Sequence, residues 1–345
     1  VLSAEAWQCL LAAELSVEKS RALMRGLGSS RLDPQTYLLE HPALSGAEKT
    51  RVRRVSIEKL HKSLELGARI VEEAEYPEVT ANVPGLPPAL FAWGDFSSLC
   101  QPTIAIVGTR MASTYGKSIA NRLAVDFARA GVTVVSGGAH GIDSAAHKGA
   151  LEVGGRTVAV FGTGIDESFP ASNQSLFRLI REQGCLVSQF AVGCWGNSYK
   201  FLVRNGLIAA LSRAVVVVEA PTRSGSLVTA HAANLLGRQV FVVPATVDHV
   251  GFVGSFELIR DGATLVVNAD QVLEAMGLES VAKPETPVLE GPAAILLSAL
   301  TADPIAPEFL SERTGIAMDS LMAELTMLEL SGQVVRASGG YAIRQ

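Results

Sequence analysis

Four short glycine-bearing segments carry the residue types that hold anions: Val107-Gly108-Thr109-Arg110, Ser136-Gly137-Gly138-Ala139-His140-Gly141, Phe161-Gly162-Thr163-Gly164 and Ser224-Gly225-Ser226. Glycine lets backbone N–H groups approach an anion closely, and a helix N-terminus behind such a turn adds about half a positive charge. Arg110 ends the first segment, where a guanidinium can grip phosphate through two parallel hydrogen bonds. Further on, Tyr199-Lys200-Phe201 with Arg204-Asn205 joins aromatic surface to two cations. That pairing stacks on a base of single-stranded nucleic acid while neutralising its backbone. Taken alone, each glycine turn is at least as well explained by a tight strand-to-helix link, and Phe201-Leu202 is better explained as the start of a buried helix running to Leu211. Four turns with Arg110 among them favour a phosphate-bearing ligand.

Other chemistries fit less well. Asp143 and His147 are i, i+4 neighbours, and with His140 they suggest a metal site or a general base. No third ligand or nucleophile stands at a matching spacing. The better reading has Asp143 bracing the turn with His147 packed beside it, so neither a catalytic residue nor a metal site is assigned. Glu167 occupies the place of the third glycine in a G-x-G-x-x-G, and there is no Walker A stretch, which argues against a dinucleotide dehydrogenase or a P-loop NTPase. No cofactor is expected. Cys9, Cys100, Cys185 and Cys194 form no C-x-x-C pair and read as small buried hydrophobes, with Cys100 or Cys185 as a nucleophile the weaker alternative.

The elements that must position these residues follow from periodicity. From Thr103 to about Asn268, β-branched runs such as Ile104–Val107, Val132–Ser136, Val158–Phe161, Val215–Glu219 and Val240–Val243 alternate with amphipathic helices. This predicts a doubly wound α/β domain over 103–280, with a parallel sheet covered on both faces and ligands at the carboxyl ends of its strands. Helical periodicity over 1–75, interrupted at Gly26, Gly28 and Pro34, predicts a small helical unit. The Pro/Gly-rich stretch 76–102 reads as an extended connection. Lys283-Pro284-Glu285-Thr286-Pro287 lies in a linker over 281–289. The remaining 290–345 reads helix, helix, Gly315 turn, helix and hairpin, the order of a winged helix.

A chain of 345 residues accommodates two or three domains at roughly 150 residues each, and 48% hydrophobic content is enough to fill their cores. The net charge of −5 speaks against a polyanion partner only as an average. Residues 1–95 carry −2, residues 96–270 carry +3 and residues 271–345 carry −6. Only the α/β domain is net basic. No apolar run approaches the ~18 residues of a membrane span, and Glu5 stands where a signal peptide needs Lys or Arg, so a cytoplasmic protein without membrane contact is expected.

These blocks resemble the DNA-processing protein A (DprA, or Smf) family of bacteria. The likeness runs through Val107-Gly108-Thr109-Arg110, Ser136 to Leu151, Gly162 to Asp166 with Pro170 and Asn173, Phe201 with Arg204-Asn205, Val216 to Ala220, Ser224 to Ala230 and Gly237-Arg238. The resemblance implies an extended Rossmann-like domain flanked by a small helical (SAM-like) domain and a winged helix. It further implies a non-enzymatic single-stranded DNA-binding protein that dimerises, protects incoming DNA and loads the RecA recombinase in natural transformation or recombination. The DNA-binding set it suggests is Gly108, Thr109, Arg110, Gly137, Gly138, Lys200, Phe201, Arg204, Asn205, Ser224, Gly225 and Ser226, with Phe201 stacking on a base. The chain departs from the family pattern at His140, Gln189, Ser255, the proline-free 194–199 and Leu202-Val203-Arg204-Asn205-Gly206, which has one cation fewer. A Rossmann-like nucleotide hydrolase of the lysine-decarboxylase-like type is the alternative. Its Gly-Gly-x-Gly-Thr-x-x-Glu motif would place the glutamate where Thr229 stands, which leaves Glu219 as the nearby substitute. The helix 318–330 holds Asp319, Glu324 and Glu329 and no cation, so it is expected to contact protein, not duplex DNA.

Overall fold

The computed structural model describes residues 2–279, 291–301 and 303–343. The expected linker over 281–289 lies outside the described residues. Contacts divide the chain into two units, 1–280 and 281–345.

The first unit opens with five helices, α1 (Ala4–Ala12), α2 (Val17–Ser29), α3 (Pro34–Glu40), α4 (Gly46–Arg53) and α5 (Ile57–Glu65), followed by strands β1 (Ala68–Glu72) and β2 (Ala89–Gly94). Each helix starts at a Ser or Asp N-cap (Ser3, Ser16, Asp33, Ser45 and Ser56) whose side chain accepts a first-turn N–H. The α/β alternation then runs β3 (Thr103–Val107), α6 (Thr114–Arg129), β4 (Thr133–Ser136), α7 (Ile142–Glu152), β5 (Thr157–Gly164), α8 (Gln174–Gln183), β6 (Cys185–Phe190) and α9 (Ser198–Ala210). It closes with β7 (Ala214–Val217), α10 (Gly225–Leu235), β8 (Gln239–Val242), α11 (Val253–Arg260), β9 (Thr264–Leu265) and α12 (Ala269–Ala275).

Among these residues the strands form one nine-stranded sheet in the order β1-β2-β6-β5-β4-β3-β7-β8-β9. From β6 to β9 every pair is parallel, while β1 and β2 add an antiparallel edge. The central strands β3, β4, β5 and β7 are buried along their whole length, because helices cover both faces. One face packs Val107, Val135 and Val217 with Leu207, Ile208 and Ala230 of α9 and α10; the other packs Ile104, Ile106 and Val216 with Leu123, Phe127 and Ala150 of α6 and α7. The chain winds outward from β3 in both directions, which opens a crevice beyond the carboxyl ends of β3, β4 and β7.

Two boundaries differ from the sequence reading. Residues 68–72, placed in the helical unit, and 89–94, placed in the extended connection, are sheet strands. The N-terminal helices share a core with the sheet: Trp7, Leu10, Leu38 and Val52 cluster with Phe91, Phe161, Phe177 and Leu186. Buried Gln8 ties the two parts together, donating to the Val192 carbonyl at 2.9 Å and accepting from the Val192 N–H at 3.0 Å.

In the second unit, α13 (Pro292–Ala299), α14 (Pro307–Thr314) and α15 (Met318–Leu330) precede the antiparallel pair β10 (Val334–Ala337) and β11 (Gly340–Ile343). Gly315, at φ +70, supplies the left-handed turn after α14. Leu296, Leu310, Leu321, Leu325, Val334 and Tyr341 make a separate small core, giving the expected winged helix.

Candidate nucleic-acid interface

The crevice holds an open cavity of about 340 Å³, bounded by the β3 turn, the α9 residues Arg204, Asn205 and Ile208, and the segment from Pro221 to Ser226. It brings together eight members of the expected set: Gly108, Thr109, Arg110, Arg204, Asn205, Ser224, Gly225 and Ser226. On one side lies the N-terminus of α10. Its N-cap Ser224 accepts from the Ser226 N–H at 3.3 Å, and the two hydroxyls are 2.7 Å apart.

Arg204 is buried to 4% exposure. Its guanidinium donates to the carbonyls of Gly137 and Val160, each at 2.6 Å, and its Nε to Asn205 Oδ1 at 3.1 Å. Asn205 Nδ2 in turn donates to the Gly225 carbonyl at 3.0 Å, so one α9 turn links β4, β5 and α10. Burial pulls the Arg204 guanidinium down to about 10, with buried Asp143 acting against the shift. Burial likewise raises the Asp143 carboxyl, opposed by Arg204 and by the Ala139 N–H at 3.3 Å.

Gly137 and Gly138 lie inside this framework, not on the cavity wall. A Cβ on Gly137 would sit 2.7 Å from the Arg204 guanidinium, and one on Gly138 would sit 2.7 Å from Phe177. The third glycine segment is no turn at all, since Gly162, Thr163 and Gly164 are the last residues of β5. Gly162 is small for another reason: a Cβ there would come within 2.4 Å of the Phe201 ring.

Phe201 is half-buried beside Phe169, with ring centroids 5.3 Å apart. The exposed Arg110 guanidinium lies 5.3 Å from its ring centre and that of Arg204 lies 5.7 Å away. Lys200 is drawn elsewhere, its Nζ 2.7 Å from both Glu14 of the N-terminal helices and Cys194 Sγ. Burial works against its charge, but the thiol and the carboxylate outweigh it and hold the ammonium above the ordinary lysine range.

Sequence reading did not single out Arg223, Thr229 or Asp143 as cavity residues. Arg223 is an exposed cation at φ +63 directly before Ser224; its place in front of a Ser-Gly-Ser helix start was the available signal. His140 is exposed, with Nε2 3.3 Å from Ser172 Oγ, and His147 is buried against Thr157, so the His-Asp-His run does not converge. Among the described residues no group of three or more His, Cys, Asp or Glu side chains could hold a metal ion. Glu219 does not line the cavity: its carboxylate accepts from the N–H and hydroxyl of Ser113. Cys9 and Cys185 are buried, with thiols pushed up to about 12 by burial, whereas Cys100 is exposed, contrary to expectation.

The family described as DNA recombination-mediator protein A matches residues 68–277, which include every residue of this cavity. The chain belongs to the DNA recombination-mediator protein A (DprA/Smf) family. The DprA winged helix domain matches residues 280–340. Protein Smf of Escherichia coli K12 is 37% identical over 278 residues, covering 77% of this chain and 74% of that protein. Protein Smf of Synechocystis is 32% identical over 308 residues, covering 78% and 77%. Among solved structures, DprA of Streptococcus pneumoniae superposes with a TM-score of 0.67 at 28% identity, covering 81% of this chain and 99% of that one. DprA of Helicobacter pylori, whose structure describes a single-stranded DNA binding mode, superposes at 0.56 with 28% identity, covering 61% and 95%. Of the departures from the DprA pattern, Ser255 has a clear role: its buried hydroxyl accepts from the Ala220 N–H at 3.0 Å. Among the described residues no helix is long and apolar enough to cross a membrane.

Proposed function

We propose that this DprA-family protein binds single-stranded DNA at the β3/α9/α10 crevice and acts, without a catalytic step of its own, as a mediator that protects the strand and loads RecA recombinase during natural transformation or recombination. The observation that carries this reading is the pairing of the Phe201 ring with exposed Arg110, which lines the cavity together with the N-terminus of α10. A backbone phosphate in the cavity meets the α10 dipole, the flanking Arg223 and the field of buried Arg204, while the adjacent base takes the Phe201 face as Arg110 turns from the ring to the phosphate. Membership in the DprA family and the single-stranded DNA binding of the Helicobacter pylori relative support the ligand class. A homodimer working in the cytoplasm completes the proposal.

The hydrolase motif needs a carboxylate where Thr229 stands, and the nearby substitute Glu219 is spent on the Ser113 cap. Gel-shift titration with single- and double-stranded oligonucleotides tests the reading. The single strand is expected to bind in preference, and Arg110→Ala to weaken it. Release of free base from nucleoside monophosphates would favour the hydrolase instead.

A further inference from the structure

The loop from Ala191 to Asn197, which enters α9, carries an aromatic side chain that the cavity does not use. Trp195 is 71% exposed. Its neighbour Gly196 lies against the edge of the Phe201 ring, where a Cβ would come within 2.8 Å of Phe201 Cζ and 3.0 Å of Thr163 Cγ2. Trp195 is therefore held one residue from the glycine that packs on the Phe201 ring. Its backbone is anchored as well, because Lys200 Nζ, fixed by Glu14, reaches the Trp195 carbonyl at 3.4 Å. Trp195 also lines a second cleft of about 260 Å³, shared with Arg51, Arg54 and Lys200. Arg51 is committed to the Ala13 carbonyl and Lys200 to Glu14, whereas exposed Arg54 makes no ion pair among the described residues.

We propose that Trp195 is a second base-stacking platform and Arg54 its phosphate partner, so that single-stranded nucleic acid leaving the Phe201 site continues across the loop onto the N-terminal helices. An exposed indole that shares a cleft with a guanidinium making no ion pair among the described residues offers what a sequence-tolerant single-strand path requires, a π-face for the base and a cation for its backbone. This inference rests on the single-strand reading above and gives the N-terminal helices a direct part in it.

The protein contains three tryptophans, which makes the test direct. Trp7 is buried and donates to Glu72, and Trp93 is capped by Arg181 at 4.2 Å, so Trp195 is the indole open to a base. The full chain is titrated with fluorescein-labelled dT20, following anisotropy, and with unlabelled dT20, following tryptophan emission. Wild type is expected to bind with quenching of emission; Trp195→Phe loses most of the quenching, and Trp195→Ala raises Kd by about five- to a hundredfold. Arg54→Ala is expected to lower the salt slope by about 0.7, the share of one phosphate contact on a single strand. Binding by wild type with no quenching, together with unchanged Kd in Trp195→Ala, would overturn this proposal and leave the Phe201 site standing. No binding by wild type would overturn both.

Discussion

At the scale of single residues, His147 shows how burial fixes a protonation state. Its Nδ1 is 2.7 Å from Thr157 Oγ1, and that hydroxyl already donates to the Val134 carbonyl. The ring must therefore donate from Nδ1, which leaves Nε2 bare and without a partner among the described residues. Burial, reinforced by the charge of Arg204, pulls the imidazole down to about 3, against about 6.5 in the unfolded chain. Between those values the unfolded state binds the extra proton, so stability is full above about pH 6.5 and is lost as the pH falls toward 3. His147→Gln removes this titration, and urea unfolding between pH 7 and 4 should then show a shallower loss, by at most about 1.4 kcal/mol per pH unit. Identical pH profiles for the two proteins would contradict the assignment. The sequence reading had Asp143 bracing the turn and His147 packed beside it, and the structure agrees because both face inward from α7. Arg204 was harder to read. Spacing alone marked it as a cation for a phosphate, whereas the structure uses its three hydrogen bonds to hold Gly137, Val160 and Asn205.

At the scale of elements, the β3 turn is held from behind by β7. The Thr109 N–H donates to the Glu219 carbonyl at 2.7 Å, and the Glu219 carboxylate caps Ser113, whose own hydroxyl accepts from Gly116 at the start of α6. Arg110 lies between these two anchors. Glu219→Ala strands the Ser113 donors beside a buried void, at a cost of about 1–3 kcal/mol, and should also weaken oligonucleotide binding through the loosened turn; Glu219→Gln, which keeps an acceptor, should lose less. Equal unfolding midpoints for Glu219→Ala and wild type would show that the carboxylate does not organise the turn. The parallel strands and their helices were legible because buried β-branched runs alternate with amphipathic segments. Strands β1 and β2 were not: five residues after Leu60 and Leu64 continue the look of a helix, and Ala89–Gly94 is hidden behind a proline-rich stretch. Their place in the sheet comes from β2 pairing with distant β6 and β1 pairing with β2, which no local pattern reports.

At the scale of the whole molecule, the charge of −5 conceals a basic α/β segment and an acidic C-terminal one. The winged-helix unit has its own core, and α15 carries Asp319, Glu324 and Glu329. Removal of residues 281–345 should leave the affinity for single-stranded oligonucleotide unchanged in a filter-binding assay. A large loss would move part of the nucleic-acid interface into that unit. The most direct test of the central claim is a salt titration of dT20 affinity for wild type and Arg110→Ala. If Arg110 grips a phosphate at the mouth of the crevice, the variant binds more weakly and its slope of log K against log salt falls by about 0.7. Equal affinity and equal slope across the titration would contradict the account.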